Sequence, residues 1–329
     1  MKLNHIYKSI ACGVLLAMTA TSCDLDYNPV DTYSDVTEGV NKTDEKPIFN
    51  SVQDVETSMV TLHKKFRDQQ EHWYVDKLLI GDAHSDNAYA GTTGAEVVPY
   101  ETNSIEGSNS VLKRDWDRFL GDIAVANRII VGCDQLKALS ESERGKYQSQ
   151  AKIFRAMVMF DMVRLWGNFP VITTVGGDIT EDNVEEMSPT YFPPQNTAEE
   201  AYAQIEKDLT EAVENPNTPT NDTSDKSILT KSVARAMLAK VYAEKPLRDY
   251  AKVIKYADEL AADGFDLVED FSDLWAYDTE KKDCRVRNTK EAILEAHFPP
   301  GSGNWCTWMF GRNLSNWDES FTWAKWITP

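Results

Sequence analysis

The chain has 329 residues, 42% hydrophobic and 26% charged, enough to bury one large core or two smaller ones and too apolar for a disordered chain. A formal net charge of -19 excludes nucleic acid as a partner, because neutralising phosphates takes a basic face. No basic block exceeds two residues, so adsorption to anionic lipid through charge is excluded too.

Residues 1–22 have the form of an export leader. Lys2 and Lys8 supply the positive start, and the apolar run 10–20 is too short to span a bilayer. Ala20-Thr21-Ser22-Cys23 resembles the cleavage site of a bacterial lipoprotein, with Ala20 where leucine is usual. Lipid on Cys23, a diacylglycerol plus an amide-linked chain, would anchor the protein at ~0.8 kcal/mol per buried methylene. Residues 23–50 are polar and without periodicity, a tether.

The segment 51–70 predicts a helix with Val52, Val55, Met59, Leu62 and Phe66 on one face. Residues 72–109 break the pattern, with four glycines among Asp, Asn, Ser and Thr, and predict a loop-rich insertion. From Asp115 helical pairs dominate. Trp116, Phe119, Leu120, Ile123, Asn127 and Ile130 mark one helix, and its partner returns after a polar turn.

That partner, 149–172, organises the domain. Phe154, Val158, Met162 and Leu165 form one apolar stripe; Ile153, Met157, Phe160 and Val163 form a second beside it. Two stripes require more than one layer of neighbours. Asp161 and Arg164 have the spacing at which helical side chains meet. Gly167 stands where a positive-φ residue ends a helix, and Pro170 forbids resumption. An extended segment should follow over 171–175.

Further helices are predicted over 197–213, opened by a Thr197/Glu200 capping box, and over 232–244 and 249–262, a tight pair closed by Gly264. Residues 265–268 and 292–298 are strand candidates. Of the chain's nine tryptophans, Trp305, Trp308, Trp317, Trp323 and Trp326 fall in 299–329, a tryptophan-rich loop region.

No residue pattern nominates a catalytic centre. There is no G-x-S-x-G, H-E-x-x-H or phosphate-binding glycine loop, and the five histidines lack ligand spacing. Asp82-Ala-His84-Ser-Asp86-Asn87 could hold a hard cation through oxygens, but such residues also make turns, so neither a metal site nor a cofactor is assigned. Cys133, Cys284 and Cys306 form an odd set without metal spacing, which allows at most one disulfide, and read as buried free thiols. Aromatics in polar loops carry the strongest chemical hint, because a sugar ring offers an apolar C–H face for stacking and a rim of hydroxyls. Trp73, Tyr89, Tyr100, Trp305, Trp308 and Trp317 are the candidate glycan-binding residues.

Several stretches carry a family resemblance in their order along the chain. Ala151, Phe154-Arg155-Ala156, Leu165, Gly167 and Pro170 match an A…F-x-R-A…L…G-x-x-P helix signature. Trp116 with Ile123 and Asn127, the alanine-rich run 234–242, Phe265-Asp266-Leu267 and the Glu291–Glu295 run agree in sequence order. Together they resemble the SusD/RagB family of Bacteroidetes outer-membrane nutrient-uptake lipoproteins. The resemblance implies a mainly α fold of tetratricopeptide-like helical pairs with a few short strands, over 51–298. Since that family continues beyond this length, the C-terminal part reads as missing. It also implies a non-enzymatic surface lipoprotein that captures oligosaccharide and delivers it to a SusC-like TonB-dependent transporter. A peptide-capturing member, an α-helical surface glycoside hydrolase and a repeat scaffold without small ligand are the competing readings.

Overall fold

A computed structural model describes residues 47–85, 87, 96–177 and 184–299. The leader, Cys23, Tyr89 and the tryptophan-rich region from residue 300, Cys306 included, lie outside the described residues.

Among the described residues, six long helices build the domain. Helix α1, Val52–Asp68, opens with a reciprocal capping box between Ser51 and Asp54 and buries Val55, Met59 and Leu62. Helix α2, Ser110–Gln135, is capped by the Asn109 side chain, which accepts from the Val111 and Leu112 amides at 3.0 and 3.2 Å. Helix α3, Glu141–Trp166, starts at a Ser140/Glu143 capping box, about two turns earlier than the start expected at residue 149. Helices α4, Ala198–Glu214, α5, Lys231–Ala243, and α6, Tyr250–Ala262, complete the set. The Thr197/Glu200 box forms as expected.

Cross-links fix how these helices run. Arg144 Nε donates to the Cys133 carbonyl at 2.9 Å, Gln148 Nε2 to the Ile130 carbonyl at 2.8 Å, and Trp166 meets Trp116 edge-on at 5.3 Å. α3 therefore returns antiparallel along α2, and Arg144 in its first turn satisfies the Cys133 carbonyl that the end of α2 leaves open. α4 packs on the other side of α3, α5 on α4, and α6 pairs with α5. Both stripes of α3 are buried: Ile153, Phe154, Val158, Phe160, Met162 and Val163 are all core. Gly167 takes φ 71° and ends the helix, and its amide still reaches the Val163 carbonyl at 3.0 Å. Gly264 closes α6 at φ 92°.

Four expectations need correction. The segment after α1 is not irregular: Glu71–Ala83 winds as two five-residue π turns around a short α turn. His72 and Asp76 there are buried, so its composition reads as loop while its geometry is helical. Asp161 and Arg164 do not pair. Lys77 from the wound segment takes Asp161 at 2.5 Å, and Arg164 turns to Glu244 at 3.1 Å. Neither 265–268 nor 292–298 is a strand. Instead Val268 donates its amide to the Glu291 side chain and Glu295 donates its amide to the Lys226 carbonyl, so the pairing is irregular. The described strands are the two-residue β1, Tyr277–Asp278, and β2, Asp283–Cys284. Finally, Cys133 is a buried thiol as expected, but Cys284 is an exposed one.

Candidate functional site

The signature arginine is structural. Arg155 on α3 donates from Nε and Nη2 to both oxygens of Asp208 on α4, at 2.8 and 2.7 Å, and from Nη1 to Asn127 Oδ1 on α2 at 2.7 Å. Asn127 Nδ2 in turn donates to the carbonyls of Ile172 and Thr174, at 2.9 and 3.2 Å. One guanidinium thus ties three helices together, and its amide partner pins the chain leaving α3.

Two of the candidate aromatics are also structural. Trp73 is 3% exposed, packs against Phe66, Phe119 and Phe154, and donates from Nε1 to Asp122 Oδ2 at 3.0 Å. Asp122 also bonds His72 Nε2 at 2.9 Å and faces Lys65 Nζ at 3.6 Å. Tyr100 is 1% exposed in a second, smaller core with Val75, Leu79, Ala83, Val97 and Val111. Neither ring offers a face on which a sugar could stack, so both are corrected from ligand contacts to core residues. Tyr89, Trp305, Trp308 and Trp317 lie outside the described residues. Asp86 of the suggested cation loop does too, and among the described residues no His, Cys, Asp or Glu cluster could hold a metal.

One exposed aromatic surface lies where the sequence proposed no contact. The 3-10 turn Phe271–Trp275 is held by Asp270, which accepts from the Ser272 amide at 2.9 Å. It presents Phe271 and Trp275, 69% and 75% exposed, with ring centroids 6.1 Å apart. The β1–β2 hairpin follows at once. Asp278 accepts from the Glu280 and Lys281 amides, both at 3.0 Å, which tightens its turn and holds Tyr277 outward. Beside these rings opens a cleft of about 460 Å³, lined by Leu274, Val286, Arg287, Thr289, Glu291 and Glu295. Arg287 is fixed there by Asp283 and by the Phe298 carbonyl at 3.0 Å. Stacking rings beside a cleft with both charge signs can hold a neutral, hydroxyl-rich ligand. The available signal was aromatics interleaved with Asp270, Asp273 and Asp278, in a stretch of neither helical nor strand period.

Comparison with known proteins places this fold. The model of the SusD-like family, described as starch-binding associating with outer membrane, matches residues 32–243. The chain belongs to the SusD-like family. A SusD-like protein of Bacteroides ovatus is 25% identical over 309 residues, covering 90% of this chain and 50% of the relative. This SusD-like chain therefore spans about half the length of the curated relative it matches. Among solved structures, a laminarin-binding SusD-like protein aligns with TM-score 0.57 at 20% identity, over 69% of this chain and 48% of the other. Surface glycan-binding protein A from Bacteroides thetaiotaomicron, solved with laminarihexaose, aligns with TM-score 0.56 at 16% identity, over 68% and 46%. These structural matches establish the mainly helical fold. No helix among the described residues is long and apolar enough to cross a membrane.

Proposed function

We propose that this SusD-like chain captures an oligosaccharide without cleaving it and passes it to a SusC-like TonB-dependent transporter, held at the outer membrane by lipid on Cys23. The observation that carries the reading is the exposed Phe271, Trp275 and Tyr277 surface beside its cleft, in a member of a family described as starch-binding. Two of the structural neighbours are named for laminarin or glycan binding, which supports a glycan as the ligand class. A net charge of -19 favours a neutral glycan over a polyanion. Tyr89, Trp305, Trp308 and Trp317 are proposed as further stacking residues.

Calorimetry of the chain against a panel of neutral oligosaccharides tests this. Trp275→Ala should weaken binding about fivefold, since a stacking contact is worth roughly 1 kcal/mol. Trp73→Ala should instead lower the melting temperature. A Trp275→Ala chain that stays folded and binds like wild type would remove this surface from the site, and shortening of the glycan by pure protein would replace capture with hydrolysis.

A further inference from the structure

The small core around Tyr100 encloses more negative charge than its cations can match. Asp76, on the wound segment Glu71–Ala83, is fully buried; its Oδ2 accepts from Arg114 Nη2 at 2.5 Å, while its Oδ1 meets no donor. Asp115, on α2, is 1% exposed, and its Oδ1 also meets no donor. The nearest cation to that oxygen is Arg114 Nε, at 3.8 Å and itself without a hydrogen bond. The remaining charged neighbours pair with each other: Arg118 Nη1 lies 2.9 Å from Glu71 Oε2. Tyr100 contributes a buried hydroxyl without a partner, with His84 edge-on to its ring at 6.4 Å. Lys77, on the same wound segment, is engaged by Asp161. Three carboxyl groups, those of Glu71, Asp76 and Asp115, therefore face only the guanidiniums of Arg114 and Arg118.

Asp76 and Asp115 both lie against the single Arg114 guanidinium, each with a buried oxygen that meets no donor, and such an arrangement is costly unless one carboxyl carries hydrogen. We infer that Asp76 and Asp115 hold one proton between them, Asp115 donating to the free Asp76 Oδ1, and that this proton latches the wound segment onto α2. One proton brings the cluster to neutrality and gives Asp76 Oδ1 the donor it lacks. Two independent causes favour the protonated form of Asp115. Burial is the larger, and the adjacent Asp76 charge adds to it, against a smaller opposing pull from Arg114 and Arg118; together they push the Asp115 carboxyl up to about 9. The folded chain then keeps a proton that the unfolded chain releases above the ordinary carboxylate range. Stability from this site is complete below that range and is lost as pH rises through the folded value.

The test compares thermal and urea unfolding of wild type and Asp115→Asn across the range from about pH 6 to about pH 9. The asparagine keeps an N–H donor for Asp76 but cannot titrate. The wild-type unfolding constant should rise by about tenfold per pH unit relative to that of the variant, the signature of one retained proton. Parallel pH profiles would overturn the latch. If the variant does not fold, infrared spectroscopy of the wild-type chain decides. A protonated-carboxyl band at neutral pH that disappears on unfolding supports the shared proton, and its absence from the folded chain refutes it.

Discussion

Removing Asp208 should be among the most damaging single changes available to this fold. Arg155 and Asp208 have side chains only 5% and 1% exposed, and two short bonds join them. Their attraction is partly offset by the desolvation of both, so the pair as such is worth little. Breaking it is another matter. Asp208→Ala leaves a guanidinium with its bond to Asn127 but no counter-charge, and water cannot reach it. The expected loss is about 3–5 kcal/mol, a large share of the roughly 5–15 kcal/mol that holds an ordinary domain together. At about 2 cal/mol/K of unfolding entropy per residue, that is a fall in melting temperature of about 4–7 °C for a chain of this size. Urea unfolding supplies the free energy, and the double replacement Arg155→Met with Asp208→Leu supplies the control. The double variant should recover most of the loss, because it removes both charges and leaves apolar volume between α3 and α4. If Asp208→Ala loses less than about 1 kcal/mol, or if the double variant is no more stable than the single, Arg155 is not the buried tie described here.

Two further outcomes are expected. Gly167→Val should destabilise by about 1–3 kcal/mol through positive φ alone, since an added Cβ would meet no atom within 4 Å. Equal denaturant midpoints for wild type and Gly167→Val would contradict the reading. Cys23→Ala should abolish metabolic palmitate labelling of the protein, and label retained by the variant would dismiss the anchor.

The helices were legible because their signals are local. Thr197/Glu200 caps within three residues, and the stripes of α3 need only helical spacing, although the equally local Ser140/Glu143 box that starts α3 was passed over because the turns it opens are polar. Gly167 and Gly264 announced their φ through residue type. The wound segment was illegible because its order is set from a distance. His72 and Asp76 look like loop residues until α2 supplies Asp122 and Arg114, some 50 and 38 positions away, as their partners. The same partners draw Trp73 inward, so a tryptophan among polar neighbours was misread as exposed. Asp161 and Arg164 had the right spacing for each other, but Lys77 and Glu244 come from other elements. Phe271, Trp275 and Tyr277 escaped notice because no period marks them, and only the fold shows which rings remain uncovered.

The way α3 seals the end of α2 bears on the order in which the fold is made. Arg144 and Gln148 reach back only 11 and 18 positions to the carbonyls of Cys133 and Ile130, across a turn of a few residues. Closing so short a loop loses little chain entropy, and contacts of low sequence separation form early. The α2–α3 hairpin is therefore the natural nucleus. α1 and the wound segment, though made first by the ribosome, have apolar faces whose partner is α2, so they wait for a surface synthesised after them. The other helices, from α4 onward, each meet a completed neighbour and can add in chain order. Assembly runs outward from the second and third helices in both directions, and the N-terminal part of the domain is the part that docks backwards.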